Sequence, residues 1–126
     1  MPIAEMTYLD GIFFSRQYGK IAKEDARTWA DQAQRLAKYG RSPIVAFLDL
    51  RDVTQITREA RAIYTRISAL PRLWATVILA EDLAAVQQAR LIAQMDVGQN
   101  THIFQDKGRA YAFARAQAEA ARRDTL

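Results

Sequence analysis

An apolar run that begins at Pro43 constrains the fold more than any other part of the chain. The run is Pro43-Ile44-Val45-Ala46-Phe47-Leu48, which contains no polar residue and is rich in strand formers. A strand of this composition is covered on both faces, as is typical of a central strand in a sheet flanked by helices. A second, mostly apolar stretch at Leu73–Ala80 predicts another buried strand. Together the two segments predict an α/β fold.

Strand and helix patterns alternate along the rest of the chain. The predicted strands are Met6–Leu9, Ile12–Tyr18, Pro43–Leu48, Leu73–Ala80 and Thr101–Gln105. The predicted helices are Lys23–Tyr39, Arg58–Leu70, Leu83–Met95 and a segment from about Lys107 into the alanine-rich tail. The order β-β-α-β-α-β-α-β-α predicts a mixed, mainly parallel sheet flanked by helices.

Turn and cap residues agree with these boundaries. Asp10-Gly11 stands between the first two strands and is a favoured hairpin turn, because both of its residues tolerate positive φ. Gly40, just after the first helix, predicts a left-handed C-cap. Thr57 and Asp106 are suited to be the N-caps of the second and fourth helices.

Composition excludes several classes of function. The 126 residues fit a single domain spanning 1–126. Because the chain has no cysteine, one histidine and no glycine-rich phosphate loop, we expect no cofactor and no metal site. The 18 Lys and Arg residues are scattered among 14 Asp and Glu residues, so the net charge of +4 does not predict a nucleic-acid partner. No apolar stretch approaches the roughly 20 residues that span a bilayer, and the N-terminus lacks a signal-peptide pattern, so we expect a cytoplasmic protein without membrane insertion.

Three segments carry a resemblance to a known family. The stretch Phe47-Leu48-Asp49-Leu50-Arg51-Asp52-Val53-Thr54-Gln55-Ile56-Thr57-Arg58 is similar to the strand-to-helix junction of STAS domains, a superfamily that includes the anti-anti-sigma factors. In those domains a strand ends in Asp-Leu and a turn leads to the helix. Gly19-Lys20-Ile21-Ala22-Lys23-Glu24-Asp25 and Phe104-Gln105-Asp106 match further segments of the SpoIIAA-like (STAS/SEC14) family of small bacterial proteins, in the same order. The chain therefore resembles a SpoIIAA-like protein over almost its full length, which implies a SpoIIAA/STAS-like fold.

The resemblance implies a non-enzymatic binding or regulatory module that acts through the junction at Asp49–Arg61. In anti-anti-sigma factors a phosphorylated serine follows an aspartate at the start of this helix; here Thr57 takes the aspartate position and Arg58 the serine position, so the phosphoacceptor is not preserved. The unpaired N–H groups at a helix start stabilise an anion, and arginine binds carboxylate or phosphate bidentately. The candidate binding residues are Asp49, Asp52, Thr57, Arg58 and Arg61. We expect a protein partner or a small ligand, and a homodimer formed through the remaining sheet edge.

Two alternatives stay open. The first is a carrier of a small or lipid-like ligand, anionic or apolar, with an apolar pocket between helices and sheet. Its candidate pocket walls are Trp29, Trp74 and Tyr64, for which core packing is the ordinary explanation. The second is an enzyme that gathers Asp49, Asp52 and His102 within hydrogen-bond reach of one another in a polar cleft. For Thr57 and Asp49, helix capping and hydrogen bonding to loop amides are the purely structural explanations.

Overall fold

The structure is a computed structural model that describes residues 2–95 and 100–125. Its strands are β1 (Ile3–Leu9), β2 (Ile12–Ile21), β3 (Ile44–Ile56), β4 (Leu73–Leu79) and β5 (Thr101–Phe104). Its helices are α1 (Lys23–Tyr39), α2 (Arg58–Ser68), α3 (Leu83–Gln94) and α4 (Lys107–Thr125). The predicted order of elements is confirmed, and the boundaries of α1 agree with those predicted.

The strands form one mixed sheet with the order β1-β2-β3-β4-β5. β1 runs antiparallel to β2, and each later neighbour runs parallel to the strand before it. Each parallel connection passes through a helix, as parallel pairing requires. The sheet therefore has two edges, β1 and β5.

Of the two glycines predicted to adopt a left-handed conformation, Gly11 does and Gly40 does not. In the β1–β2 turn, Asp10 has φ 52° and Gly11 has φ 81°, so both residues adopt the left-handed conformation that the hairpin turn requires. Gly40 has φ −70° and ψ 155°, so the prediction of a left-handed C-cap is wrong. A Cβ at Gly40 would lie 2.7 Å from the Leu36 carbonyl oxygen, whose hydrogen bond from the Gly40 N–H closes the helix. Glycine stands there because of this close approach.

The helices cover the two faces of the sheet unequally. Helices α1, α2 and α3 pack on one face in a large apolar core that includes Trp29, Ile67 and Ile92. On the other face α4 alone packs through Ala110, Ala114 and Ala118 against Val45, Phe47, Val77 and Leu79. A single helix is narrower than a five-stranded sheet, and the half of this face over β1 and β2 is left partly open.

Strand β3 is longer than predicted. The apolar run predicted a strand up to Leu48, and the resemblance implied a turn after Asp49-Leu50, but β3 continues to Ile56. Its pairing with β4 ends at Asp49–Leu79, whereas its pairing with β2 continues to Ile21–Ile56. Two register shifts insert extra β3 residues opposite β2, so this part of the strand is bulged. The residues predicted to form a turn are therefore held in a two-stranded extension of the sheet.

None of the helices in the described ranges, 2–95 and 100–125, combines the length and the apolar character needed to cross a membrane.

Candidate functional site

The residues that the sequence singled out lie along the end of β3 and the start of α2. Asp49 is the last β3 residue with partners on both sides, since it lies beside Arg16 in β2 and Leu79 in β4. Beyond it, the side chains of Asp52, Thr54 and Gln55 are exposed, and the strand leads directly into α2. The expected junction therefore exists, but an ordered strand forms it.

Asp49 is buried, with 2% of its surface exposed, and its carboxylate is bound by Arg51. Arg51 Nε donates to Asp49 Oδ1 at 3.0 Å, Arg51 Nη2 donates to Oδ2 at 2.8 Å, and the Arg51 backbone N–H donates to Oδ1 at 3.2 Å. Arg51 also pairs with Glu81, which follows β4, at 3.2 Å. Hydrogen bonding to Asp49 raises the pKa of Arg51 above its usual value although burial opposes the shift. Asp49 thus holds a guanidinium in place and is not available to a ligand.

Asp52 forms the second ion pair of the junction. Its Oδ2 lies 3.0 Å from Arg16 Nη2, and the two side chains are 57% and 50% exposed. A hydrogen bond to Asp52 and its charge raise the pKa of Arg16. Because solvent reaches both partners, a charged group on another molecule can exchange with either one at small cost.

The start of α2 is open to solvent. Thr57 Oγ1 accepts the Ala60 N–H at 3.2 Å, so Thr57 is the N-cap of the helix as predicted. The next two side chains, Arg58 and Glu59, are exposed. In the described part of the chain, no hydrogen bond or ion pair holds the Arg58 side chain, which leaves its guanidinium available to a partner.

Arg61 lies one turn further along α2 but has a different role. Its Nη1 donates to the Ile56 carbonyl oxygen at 2.7 Å. Gln88 Oε1, from α3, accepts the Ile56 N–H at 3.1 Å and lies 3.5 Å from the same Arg61 nitrogen. Arg61 therefore binds the end of β3 to the helix layer, and only part of its surface remains for a partner.

The three residues of the enzyme alternative do not meet. Asp49 and Asp52 are bound to different arginines, and the ring of His102 packs at a tilt against that of Phe113, with ring centroids 4.7 Å apart. His102 lies in β5, opposite Val77 of β4, so one whole strand separates it from β3. Among the described residues no group of three or more His, Asp or Glu side chains is arranged to hold a metal ion.

The three candidate pocket-wall residues do not form one wall. Trp29 and Tyr64 are buried in the core on the α1–α2 face, with ring centroids 4.8 Å apart. Trp74 lies on the opposite face, where its Nε1 donates to Gln117 Oε1 at 3.0 Å. The aromatic residues therefore fill two cores, which is the structural explanation that the sequence left open.

A groove that the sequence did not predict lies between α4 and the β1–β2 hairpin. It encloses about 640 Å³, and its lining includes Thr7, Leu9, Ile12, Phe14, Tyr111 and Arg115. The Tyr111 ring, which lines the groove, stacks on Phe47 at a centroid distance of 4.7 Å. Burial, and to a smaller extent the charge of Asp49, raises the pKa of Tyr111. Thr7 and Leu9 are two residues apart in β1, so the sequence places them on the same face of the sheet. Predicting a groove on that face would also have required knowing that a single helix, α4, covers it.

The comparisons with known proteins agree with this architecture. A scan against protein-family models and a search of curated proteins find no match. A crystal structure of an uncharacterised protein of the DUF3478 family from Shewanella loihica PV-4, which has a SpoIIAA-like fold, matches with a TM-score of 0.62 at 15% sequence identity. The match covers 89% of this chain and 91% of that chain. This chain has a SpoIIAA-like fold.

The predicted resemblance is thus confirmed for the SpoIIAA-like fold, including the mixed sheet and the order of its elements. At a sequence identity of 15%, the match shows a shared fold and does not show a shared activity or partner. A second solved structure, that of Mglu, matches with a TM-score of 0.43 at 12% identity, over 84% of this chain and 20% of that one.

Proposed function

We propose that the protein is a single STAS-like domain that binds a protein partner and carries out no chemical reaction. The partner contacts the junction surface, which we define as the exposed side chains of Asp52, Thr54, Gln55, Arg58 and Glu59. One observation carries the proposal: β3 continues seven residues past its last pair with β4, at Asp49, to Ile56, and holds these side chains on ordered backbone up to the open start of α2.

The charges of the junction surface suit a partner that presents both signs. Arg58 and Glu59 are adjacent and exposed, and the Arg16–Asp52 pair lies along the same strand extension. Rigid backbone lowers the entropy cost of binding, and mixed charges favour recognition of one partner over others. The titratable groups named by the enzyme alternative are engaged in separate contacts, which supports a binding role.

Charge reversal tests the junction surface. Arg58→Glu and Asp52→Lys variants, with Arg35→Glu as a control on the exposed side of α1, are used as bait with chemical cross-linking and quantitative mass spectrometry. We expect at least one protein to be captured by the natural sequence and by Arg35→Glu and to be lost with both junction variants. Equal capture by all four baits would show that the partner binds elsewhere.

Because the chain has no cysteine, we place this interaction in the reducing cytoplasm.

We also propose that the protein is a homodimer that pairs through a sheet edge. The sheet has two edges, β1 and β5, and an exposed edge offers unpaired N–H and C=O groups to another strand. Sedimentation velocity measures the state directly, since a dimer has twice the chain mass of 14.3 kDa. A concentration-independent monomer would contradict this proposal without affecting the junction surface.

The groove between α4 and the hairpin favours a second candidate, a carrier of a small apolar or anionic ligand. Its volume of about 640 Å³ lies within the range of ligand sites, and Phe14 and Tyr111 supply an apolar floor beside the exposed Arg115. Native mass spectrometry of gently purified protein tests it. A bound molecule that is retained by the natural sequence and lost in Phe14→Ser supports the carrier, and the bare chain mass in both samples argues against it.

A further inference from the structure

The second half of strand β1, Met6–Leu9, lacks the usual protection of a sheet edge. Met6, Tyr8 and Leu9 are 38%, 41% and 71% exposed, so three large apolar side chains stand within four residues on an edge strand of seven residues. Glu5 is the one charged residue in Ile3–Leu9, and the strand contains no lysine or proline. The irregularity in the pairing of β1 with β2 lies between Ile3 and Glu5, so the segment from Met6 to Leu9 is regular. Natural edge strands are usually short, bulged or charged, because a regular apolar edge pairs with another chain.

The other edge is protected in these ways. β5 has four residues, Thr101–Phe104, and all of its side chains are half-buried. Helix α3 packs against it on one side and α4 on the other. The contrast between β5 and β1 indicates that β1 is the edge left open for pairing.

Resting on the homodimer proposed above, we infer that β1 pairs antiparallel with β1 of a second copy, with Thr7 facing the partner's Thr7. In this register Met6 faces the partner's Tyr8, and the same pair recurs on the other side of the two-fold axis. Tyr8 already lies opposite Phe13, whose ring stacks on Trp29, so the new pairs extend the core on the α1 face. A register centred on Glu5 would place two carboxylates opposite each other, which is unfavourable.

The pairing also completes the groove. Thr7 and Leu9 point to the opposite face of β1 from Met6 and Tyr8, and they form the outer side of the groove beside α4. With a second β1 in place, the sheet continues across the axis, and the groove becomes a trough with one α4 on each side. Leu9, the most exposed apolar side chain of the strand, then faces the partner's Glu5 inside the trough, where the stem of Glu5 covers part of it.

Disulfide trapping tests the register, because the natural chain has no cysteine. Directly opposed residues of antiparallel strands have Cα atoms about 4.5–5.5 Å apart, within the range of about 4.4–6.8 Å that a disulfide bridges. We expect Thr7→Cys to form a covalent dimer in oxidised glutathione, and a control at an exposed residue of α2, Ala62→Cys, to stay monomeric on a denaturing gel. Equal cross-linking of the two variants, or none in Thr7→Cys, would overturn the assignment.

A lysine on the edge tests the pairing without a covalent bond. Tyr8→Lys places a cation in both Met6–Tyr8 pairs and should raise the dimer dissociation constant by about tenfold or more. Tyr39→Lys makes the same change at a residue of α1 that is 73% exposed and should leave the constant unchanged. If sedimentation shows a dimer that Tyr8→Lys does not weaken, the assignment to β1 is wrong while the homodimer stands; if the natural sequence is a monomer, both are wrong. Neither result bears on partner capture by the junction surface.

Discussion

The guanidinium of Arg51 and the carboxylate of Asp49 face each other in parallel, with Nε to Oδ1 at 3.0 Å and Nη2 to Oδ2 at 2.8 Å. The Asp49 side chain is 3% exposed and that of Arg51 is 28% exposed, so the pair has one buried and one half-buried member. A buried carboxylate is stable in a fold when its hydrogen bonds are satisfied, and Arg51 supplies three of them. The ion pair therefore stabilises the position at which β3 stops pairing with β4 and continues beside β2 alone.

Replacing Arg51 should destabilise the fold much more than replacing Arg16. Arg51→Met leaves the Asp49 carboxylate buried without its partner, and we expect the free energy of unfolding to fall by about 2–3 kcal/mol, somewhat less than for a fully buried pair because water reaches Arg51. Arg16→Met breaks a pair whose members are both half exposed and should cost less than about 1 kcal/mol. Urea denaturation of both variants gives the comparison. Equal losses would mean that Asp49 finds other donors.

The sequence predicted the type and order of the elements because each carries a local signal. The Asp10-Gly11 turn, the apolar run at 43–48 and the spacing in α1 all depend on neighbouring residues. The end of β3 does not. Its bulges depend on pairing with β2, and they interrupt the two-residue alternation from which side-chain direction is read. Continuing the strand past Leu48 would have placed Asp49 and Arg51 on the same face, but no local feature of Asp49–Ile56 demanded a strand.

The two arginines at the start of α2 should respond differently to substitution. Arg61 donates to the Ile56 carbonyl oxygen at 2.7 Å, whereas the exposed Arg58 makes no such contact in the described chain. We expect Arg61→Met to lower the free energy of unfolding by about 1–2 kcal/mol. Arg58→Met should change it by less than about 0.5 kcal/mol. Thermal or urea unfolding measures both, and an Arg61→Met variant as stable as Arg58→Met would contradict the role of Arg61 as a structural contact.

Thr57 should contribute to stability through its hydroxyl group. Thr57 Oγ1 accepts the Ala60 N–H at 3.2 Å, and loss of an N-cap side chain typically costs about 1 kcal/mol. Thr57→Ala should therefore lower the free energy of unfolding by about this amount, while Thr57→Ser, which keeps the acceptor, should stay close to the natural sequence. Urea denaturation distinguishes them. If the alanine and serine variants unfold together, the cap bond is not a net source of stability.

The candidate site was harder to predict than the fold because it depends on which residues engage one another. The sequence named Asp49, Asp52, Thr57, Arg58 and Arg61 together, and they do lie along one strand-to-helix segment. Their availability differs, since a buried ion pair holds Asp49 and a backbone carbonyl holds Arg61. The groove residues Phe14 and Tyr111 are far apart in sequence and meet only because α4 crosses back over the sheet. Long-range contacts of this kind leave no mark on local spacing.

The buried phenol of Tyr64 should make stability depend on pH in the alkaline range. Tyr64 is 1% exposed, and its hydroxyl donates to Gln17 Oε1 at 2.5 Å. Burial raises the pKa of Tyr64 above its ordinary value of 10.0. Above about pH 10 the unfolded chain loses this proton first, so the folded state binds more protons. The contribution to stability is fully present below that pH and is lost as the pH rises.

Tyr64→Phe separates this effect from the other titrating groups. At pH 8 the variant should be about 1–2 kcal/mol less stable than the natural sequence, because Gln17 Oε1 loses its donor. Above about pH 10 the difference should shrink by up to about 1.4 kcal/mol per pH unit, since only the natural sequence has a phenol at this position. Tyr39→Phe, at a residue 73% exposed, should follow the natural sequence throughout. Urea denaturation at pH 8, 10 and 11 gives the three curves, and a constant difference between the natural sequence and Tyr64→Phe would show that Tyr64 does not carry the pH dependence.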